Sequence, residues 1–103
     1  MKIFSWNEDK NRWLNRERGL SFEQVVLCIQ SGKLLNIIEH PNQEKYKGQR
    51  CYVVDIENYV FIVPYNESEK GIFLKTVFPS RKYTKMYLNR EKKWNHLTRK
   101  KEN

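Results

Sequence analysis

The spacing of apolar and polar residues changes several times along the chain, and each change marks a predicted element. A short strand is predicted over Lys2–Trp6. Asn7 then occupies an N-cap position, and Glu8 and Asp9 follow it, where the helix dipole favours negative charge. We therefore expect a surface helix that ends at Gly19, a residue suited to the left-handed conformation after a helix.

A second helix is predicted from Ser21. Ser21 and Gln24 fit the capping-box pattern, with a hydroxyl at the N-cap and a glutamine three residues later. The apolar residues from Phe22 to Ile29 recur at helical spacing, and Gly32 ends the segment. This pattern indicates packing and carries no chemistry of its own.

The period then changes to that of strands. The sequence predicts four strands after Lys33: Leu34–Glu39, Arg50–Ile56, Tyr59–Tyr65 and Ile72–Phe78. His40–Gln49 is predicted to be a loop, Glu57-Asn58 a two-residue hairpin connection, and Asn66–Gly71 a turn. The last three strands should therefore form an antiparallel meander.

Helical spacing returns after Pro79, with Ser80 as the expected cap and aromatic residues recurring from Tyr83 to Trp94. Residues 95–103 are polar and basic and are predicted to be a frayed tail. The order of elements favours one α+β domain over residues 1–94. Its expected core is a single antiparallel sheet of four to five strands with the helices packed on one face.

Charge is the strongest feature of the composition. The chain has 20 Lys and Arg against 12 Asp and Glu, a formal net charge of +8. An excess of this size on a small domain favours a polyanionic partner, most commonly nucleic acid, although a well-solvated surface is the alternative.

The cysteines and the N-terminal residues indicate in which cellular compartment the protein is expected. Cys28 and Cys51 lie in apolar runs without a close-spaced partner, so we interpret both as reduced core residues, and no metal site is expected from them with His40 and His96. The first residues turn polar too early for a signal peptide, and no apolar run is long enough to span a bilayer. We expect a soluble cytoplasmic protein that needs no cofactor and binds no membrane.

Candidate binding residues cluster where the last predicted strand meets the last helix. Lys75, Arg81 and Lys82 place cations there, although a helix N-terminus favours acidic side chains. A departure of this kind indicates a functional site, and cations beside free backbone N–H groups suit a phosphate. Further nucleic-acid contacts are expected from the same helix: Ser80, Thr84, Lys85 and Arg90. The alternative is that the charged members are solvated helix-surface residues.

Other candidates lie at the predicted strands. Arg50 begins a strand and is a further cation, and Tyr52, Tyr59 and Tyr65 offer rings on which RNA bases could stack. At alternate strand positions such rings more often pack within the sheet or core. His40 is placed at a strand end to transfer a proton, although a histidine in a loop is more often simply exposed.

Several segments resemble the BrnT-type toxins, which belong to the RelE-like group. Phe4–Lys10 is similar to the family's aromatic-x-Trp-Asp-x-x-Lys segment. Glu17–Val25 is similar to its Lys-His-Gly-Val-Ser-Phe-Glu-Glu-Ala stretch, with Arg18 in place of the histidine. Arg50 matches an arginine that opens a strand, and Phe78–Thr84 resembles Ile-Ser-Ala-Arg-Lys-Ala-Thr.

The resemblance implies a RelE-like fold and the toxin of a type II toxin–antitoxin system. Such a toxin is a metal-independent endoribonuclease that cuts messenger RNA and thereby inhibits translation. In this group a ribose 2′-OH attacks the adjacent phosphate, and cations stabilise the transition state, a role that suits Arg81, Lys82, Lys75 and Arg50. Tyr87, His40 and Glu39 are the candidates for the general base.

The resemblance also implies partners: an RNA substrate and an acidic, DNA-binding antitoxin, in a toxin–antitoxin hetero-oligomer or with the toxin as a homodimer. Two other functions fit the same residues. One is a non-catalytic module that binds RNA or DNA by a basic face, and the other is a protein-interaction domain whose charge keeps it soluble.

Overall fold

The computed structural model of the protein describes residues 2–88. The helices in this range are α1 (Glu8–Arg18), α2 (Phe22–Cys28) and α3 (Arg81–Leu88), and a π-helical turn, Ile29–Lys33, follows α2. The strands in the same range are β1 (Ile3–Ser5), β2 (Leu34–Glu39), β3 (Arg50–Ile56), β4 (Tyr59–Glu67), β5 (Gly71–Leu74) and β6 (Phe78–Pro79). The predicted tail, and with it Arg90, Trp94 and His96, lies outside the described residues.

The helix caps agree with the sequence-based predictions. The Asn7 side chain accepts a hydrogen bond from the Lys10 N–H at 2.9 Å, and Gly19 closes α1 in the left-handed conformation, with φ of 65°. The Ser21 hydroxyl accepts from the Gln24 N–H at 3.1 Å and caps α2. These caps satisfy N–H groups that have no partner inside a helix, and they fix where each helix begins.

The sheet is mixed, which corrects the predicted antiparallel sheet of four to five strands. Its strand order is β1-β5-β4-β3-β2, and β6 pairs with β4, which gives six strands. The predicted meander is confirmed, and its β3–β4 turn has positive φ at both Glu57 and Asn58, as a tight hairpin requires. β1, however, pairs with β5 in parallel, because the two helices that follow β1 carry the chain to the other edge of the sheet before it returns.

The last predicted strand, Ile72–Phe78, is two strands in the structure. Leu74 lies opposite Tyr65, and Phe78 lies opposite Ile62, so this side has one residue more than the facing stretch of β4. The extra residue lies in the segment from Lys75 to Val77 and interrupts the pairing of this segment with β4, as a β-bulge does.

Helices cover both faces of the sheet, so the prediction that all helices lie on one face was wrong. Tyr52, Val54 and Ile56 of β3 point to the face that α1 and α2 cover. Cys51 and Val53 alternate with them and point to the opposite face, against which Tyr83 and Tyr87 of α3 pack. We refer to these as the α1/α2 face and the α3 face. β3 must be apolar on both sides because both faces are buried.

Candidate nucleic-acid interface

The N-terminus of α3 is fixed to the sheet by two hydroxyl groups. Ser80 Oγ accepts from the Tyr83 N–H at 3.1 Å and caps the helix. Thr84 Oγ1 donates to the Ser80 carbonyl at 2.7 Å and accepts from the Val60 N–H at 2.8 Å. Both hydroxyls expected to contact nucleic acid therefore have structural partners, and their effect is to hold the first turn of α3 in place.

The cations of α3 are exposed on this fixed turn. Arg81, Lys82 and Lys85 face solvent, and the first turn contains no acidic residue. No ion pair joins any of the three to a carboxylate within residues 2–88. Lys82 Nζ lies 5.6 Å from the centre of the Tyr83 ring, a cation–π contact that restrains the ammonium group. The first turn therefore offers unneutralised cations beside the backbone N–H groups of a helix N-terminus.

Lys75 lies some distance along the sheet from these cations. The Lys75 N–H donates to the Pro64 carbonyl, whereas the Ser80 N–H donates to the Val60 carbonyl. These two acceptors are four positions apart on β4, which corresponds to about 13 Å at the rise of a strand. The cations expected to cluster between Lys75 and Lys82 are therefore spread along the sheet, with Lys75 at one end of this segment and Arg81 and Lys82 at the other.

Lys75 meets His40 at its end of the sheet. Lys75 Nζ donates to Gln49 Oε1 at 2.9 Å. His40 is only 9% exposed, and its ring stacks on Tyr46 with 4.2 Å between ring centres. Burial, and secondly the positive charge of Lys75, lower the pKa of His40 below its ordinary value.

The hydrogen bonding of His40 bears on its candidacy as a general base. Nδ1 accepts from the Asn42 N–H at 2.9 Å, so its lone pair is occupied and the neutral ring carries its proton on Nε2. In this state the ring can donate a hydrogen bond through Nε2 but has no free nitrogen with which to take a proton from a ribose hydroxyl. His40 lies near Lys75, and its ring is tilted against that of Phe78 with 6.0 Å between ring centres.

Arg50 lies on the opposite face from α3. It is paired with Glu39 on β2 and with Tyr65 on β4, and Tyr65 belongs to the core under α1 and α2. Arg50 is exposed at the end of that face. The structure therefore does not bring Arg50 and the α3 cations to one point.

The tyrosines proposed for base stacking differ in access. Tyr52 and Tyr65 stack on each other with ring centres 4.0 Å apart, and each is 6% exposed. Burial raises the pKa of Tyr52 to about 12. These two rings are core residues, whereas Tyr59 is 37% exposed at the hairpin end of β4.

Tyr87, another candidate base, is on the α3 face. Its hydroxyl accepts from the Asn36 side chain of β2 at 2.8 Å, and its ring lies 6.1 Å from that of Tyr83. These contacts attach α3 to β2. Glu39, the remaining candidate base, is exposed on the α1/α2 face opposite Arg50.

Two residues near the candidate cations were not assigned a role from the sequence. Gln49 joins Lys75 to the Tyr65 carbonyl, to which its Nε2 donates at 2.6 Å. Arg18, which stands where the BrnT-type toxins have a histidine, donates from its guanidinium to the Val77 carbonyl between β5 and β6. Neither role has a local sequence signal, because the partners are distant in the chain.

Comparison with known proteins provides no relative from which a function could be transferred: no family model, curated protein or solved structure matches the chain. Within residues 2–88, no group of three or more His, Cys, Asp or Glu side chains is arranged to hold a metal ion. No helix in the described part of the chain is long and apolar enough to cross a membrane.

Proposed function

We propose that this protein is the toxin of a type II toxin–antitoxin system, with a RelE-like fold, and that it cuts messenger RNA without a metal ion. The observation that carries the proposal is the first turn of α3. There Arg81 and Lys82 are exposed, lack acidic partners within residues 2–88, and stand on a turn that Ser80 and Thr84 fix to the sheet. A fixed turn holds its charges ready for a phosphate at a small entropic cost.

The chemistry assigned to these cations is stabilisation of negative charge. The ribose 2′-oxygen attacks the adjacent phosphorus, a P–O2′ bond forms, and the P–O5′ bond breaks. The 2′-hydroxyl loses its proton and the departing O5′ gains one. The products are a 2′,3′-cyclic phosphate and a 5′-hydroxyl, and Arg81 and Lys82 stabilise the charge on the phosphate oxygens between them.

The same surface supports the proposed partners. An acidic antitoxin that covers the α3 cations would prevent RNA from binding there, because both partners carry many negative charges and would bind the same cations. Antitoxin and RNA binding are therefore expected to be mutually exclusive.

Induced expression, with RNA cleavage by the purified protein, tests the proposal. Induction should arrest growth, and the purified protein should cut RNA in the presence of EDTA and leave 2′,3′-cyclic ends. Arg81→Ala should reduce cleavage by at least about 10²-fold, a typical cost of losing one stabilising group at the transition state. Arg12→Ala is the matched control, because Arg12 is an exposed arginine ion-paired with Asp9 on α1. Intact RNA and normal growth with abundant folded protein would overturn the proposal.

A second candidate, a non-catalytic RNA-binding module, is favoured by one observation. Among the described residues, His40 has its Nδ1 lone pair occupied and the Tyr87 hydroxyl is bonded to Asn36, so neither is a free base beside Arg81. This function predicts RNA that is bound in a salt-dependent manner and never shortened.

A further inference from the structure

The cations of α1 fall into two classes. Arg12 is ion-paired with Asp9, and Arg16 lies 3.4 Å from a carboxylate oxygen of Glu17. Lys10 and Arg18 have no such pair within residues 2–88 and instead lie over the ring of Trp13. Lys10 Nζ is 4.3 Å, and the Arg18 guanidinium carbon 5.2 Å, from the ring centre.

Cation–π contacts with the Trp13 ring restrain these two cations. Trp13 is half-buried and packs against the core under α1 and α2, so the ring itself is restrained. Arg18 is further fixed by its hydrogen bond to the Val77 carbonyl. Two like charges held beside one ring raise the positive potential of this part of α1, which favours binding of an anion there.

The position of Arg18 connects this pair with the α3 cations. Val77 lies in the extended segment that leads from Lys75 to Arg81, and Arg18 reaches this segment from the α1 side. β6 forms the edge of the sheet there, since it pairs with β4 on one side and no described strand lies on its other side. A polyanionic chain lying along this open edge would meet cations from α1 and from α3.

We propose that Lys10 and Arg18 form a second phosphate-binding site, in which each cation contacts a backbone phosphate of the same single-stranded RNA whose scissile phosphate lies at the first turn of α3. The inference depends on the proposed RNA substrate. A guanidinium offers several N–H donors, so Arg18 can keep the Val77 carbonyl and still bind a phosphate oxygen. The pair would position RNA without touching the reacting atoms.

The competing explanation is structural. The Arg18 guanidinium gives the Val77 carbonyl a hydrogen-bond partner at the sheet edge, and Pro79 has no N–H to donate there. On this explanation the two residues serve only to prevent another strand from pairing with the edge. A structural role predicts loss of stability in Arg18 variants but no change in how RNA affinity depends on salt. It also assigns nothing to Lys10.

The experiment measures binding of a fluorescent oligomer of 2′-O-methyl uridine, which cannot be cut, over a range of KCl concentrations. Lys10→Gln and Arg18→Gln should each weaken binding roughly threefold to tenfold at low salt and reduce the slope of log affinity against log salt by about 0.7. Arg18→Lys should restore most of the slope, because it keeps the charge. Arg12→Gln and Arg16→Gln are matched controls on the same helix and should leave the slope unchanged.

The outcomes separate this inference from the proposed function. If Arg81→Gln weakens binding while Lys10→Gln and Arg18→Gln behave like the two controls, the second site is refuted and the RNA-binding function stands. If the native protein binds no RNA but binds an oligomer of glutamate, the cations serve an acidic protein partner and both proposals fail. Thermal unfolding of each variant identifies changes that arise from stability alone.

Discussion

At the scale of single residues, environment decides what each candidate side chain can do. His40 is the clearest case, since burial and the nearby Lys75 charge both disfavour its protonated form. Its Nδ1 lone pair is occupied by the Asn42 N–H, and protonation would convert that acceptor into a donor facing another donor. A histidine in this setting remains neutral near neutral pH and contributes as a packed, hydrogen-bonded ring.

This environment predicts that acid weakens the fold through His40. The unfolded chain takes up a proton near the ordinary histidine pKa of 6.5, while the folded protein resists it until a lower pH. The free energy of unfolding should therefore fall as the pH drops below about 6.5. Urea unfolding at a series of pH values, for the native protein and His40→Gln, measures the effect.

The variant isolates the residue, because every other titrating group is common to both proteins. The difference in unfolding free energy between native protein and variant should shrink as the pH falls. Two curves that stay parallel between pH 8 and about 5.5 would show that His40 has the same pKa in both states and contradict the prediction.

At the scale of elements, features set by neighbouring residues were predictable and features set by distant contacts were not. Asn7 and Ser21 caps and the Glu57-Asn58 turn depend on a few adjacent residues, and all were predicted. The parallel pairing of β1 with β5 joins segments that are far apart in the sequence, and the bulge after Leu74 depends on register with β4. The near-continuous apolar run of β3 was a sign of burial on both faces that could have corrected the helix arrangement.

The candidate site divides in the same way. Exposed cations on the last helix could be predicted from their positions at its N-terminus. The contact of Lys75 with Gln49, the occupied His40 ring and the approach of Arg18 to Val77 could not, because each needs the sheet to bring distant segments together.

The pairing of β1 makes Gly71 a sensitive position. A Cβ added at Gly71 would overlap the carbonyl oxygen of Ile3 on the paired strand. We predict that Gly71→Ala reduces the free energy of unfolding by about 1–3 kcal/mol, the usual cost of overpacking. It should also speed hydrogen exchange at the amides of β1, while those of β3 and β4 stay protected. Denaturant unfolding and exchange measured by NMR check both effects.

Gly48→Ala is the matched control, because Gly48 has positive φ but open space around the position of a Cβ. It should cost about 1 kcal/mol through backbone strain and leave the exchange of β1 unchanged. Equal exchange rates for β1 in Gly71→Ala and the native protein would mean that β1 and β5 are not in close contact at Gly71.

At the scale of the whole molecule, the sheet separates the residues of the α1/α2 face from those of the α3 face. Arg50 and the stacked Tyr52–Tyr65 pair lie with the α1/α2 face, while Tyr87 and the α3 cations lie on the other side. A single RNA chain reaching both Arg50 and Arg81 would have to pass around an edge of the sheet. The proposed chemistry therefore depends on the α3 cations, and Arg50 can serve only a more distant part of a substrate.

The same division separates the two cysteines and predicts their behaviour. Cys28 packs with the core under α1 and α2, whereas Cys51 is fully buried on the α3 face, so no disulfide can join them in the folded protein. Burial raises the pKa of Cys51 to about 11, which leaves very little reactive thiolate at neutral pH.

In a native sample, N-ethylmaleimide should therefore modify Cys51 at least about tenfold more slowly than half-buried Cys28, and a mild oxidant should form no Cys28–Cys51 bridge. Mass spectrometry of non-reduced peptides measures both, and unfolding in urea should make the two labelling rates similar. A bridge formed in the native state would place both thiols on one face and contradict the arrangement of the two cores.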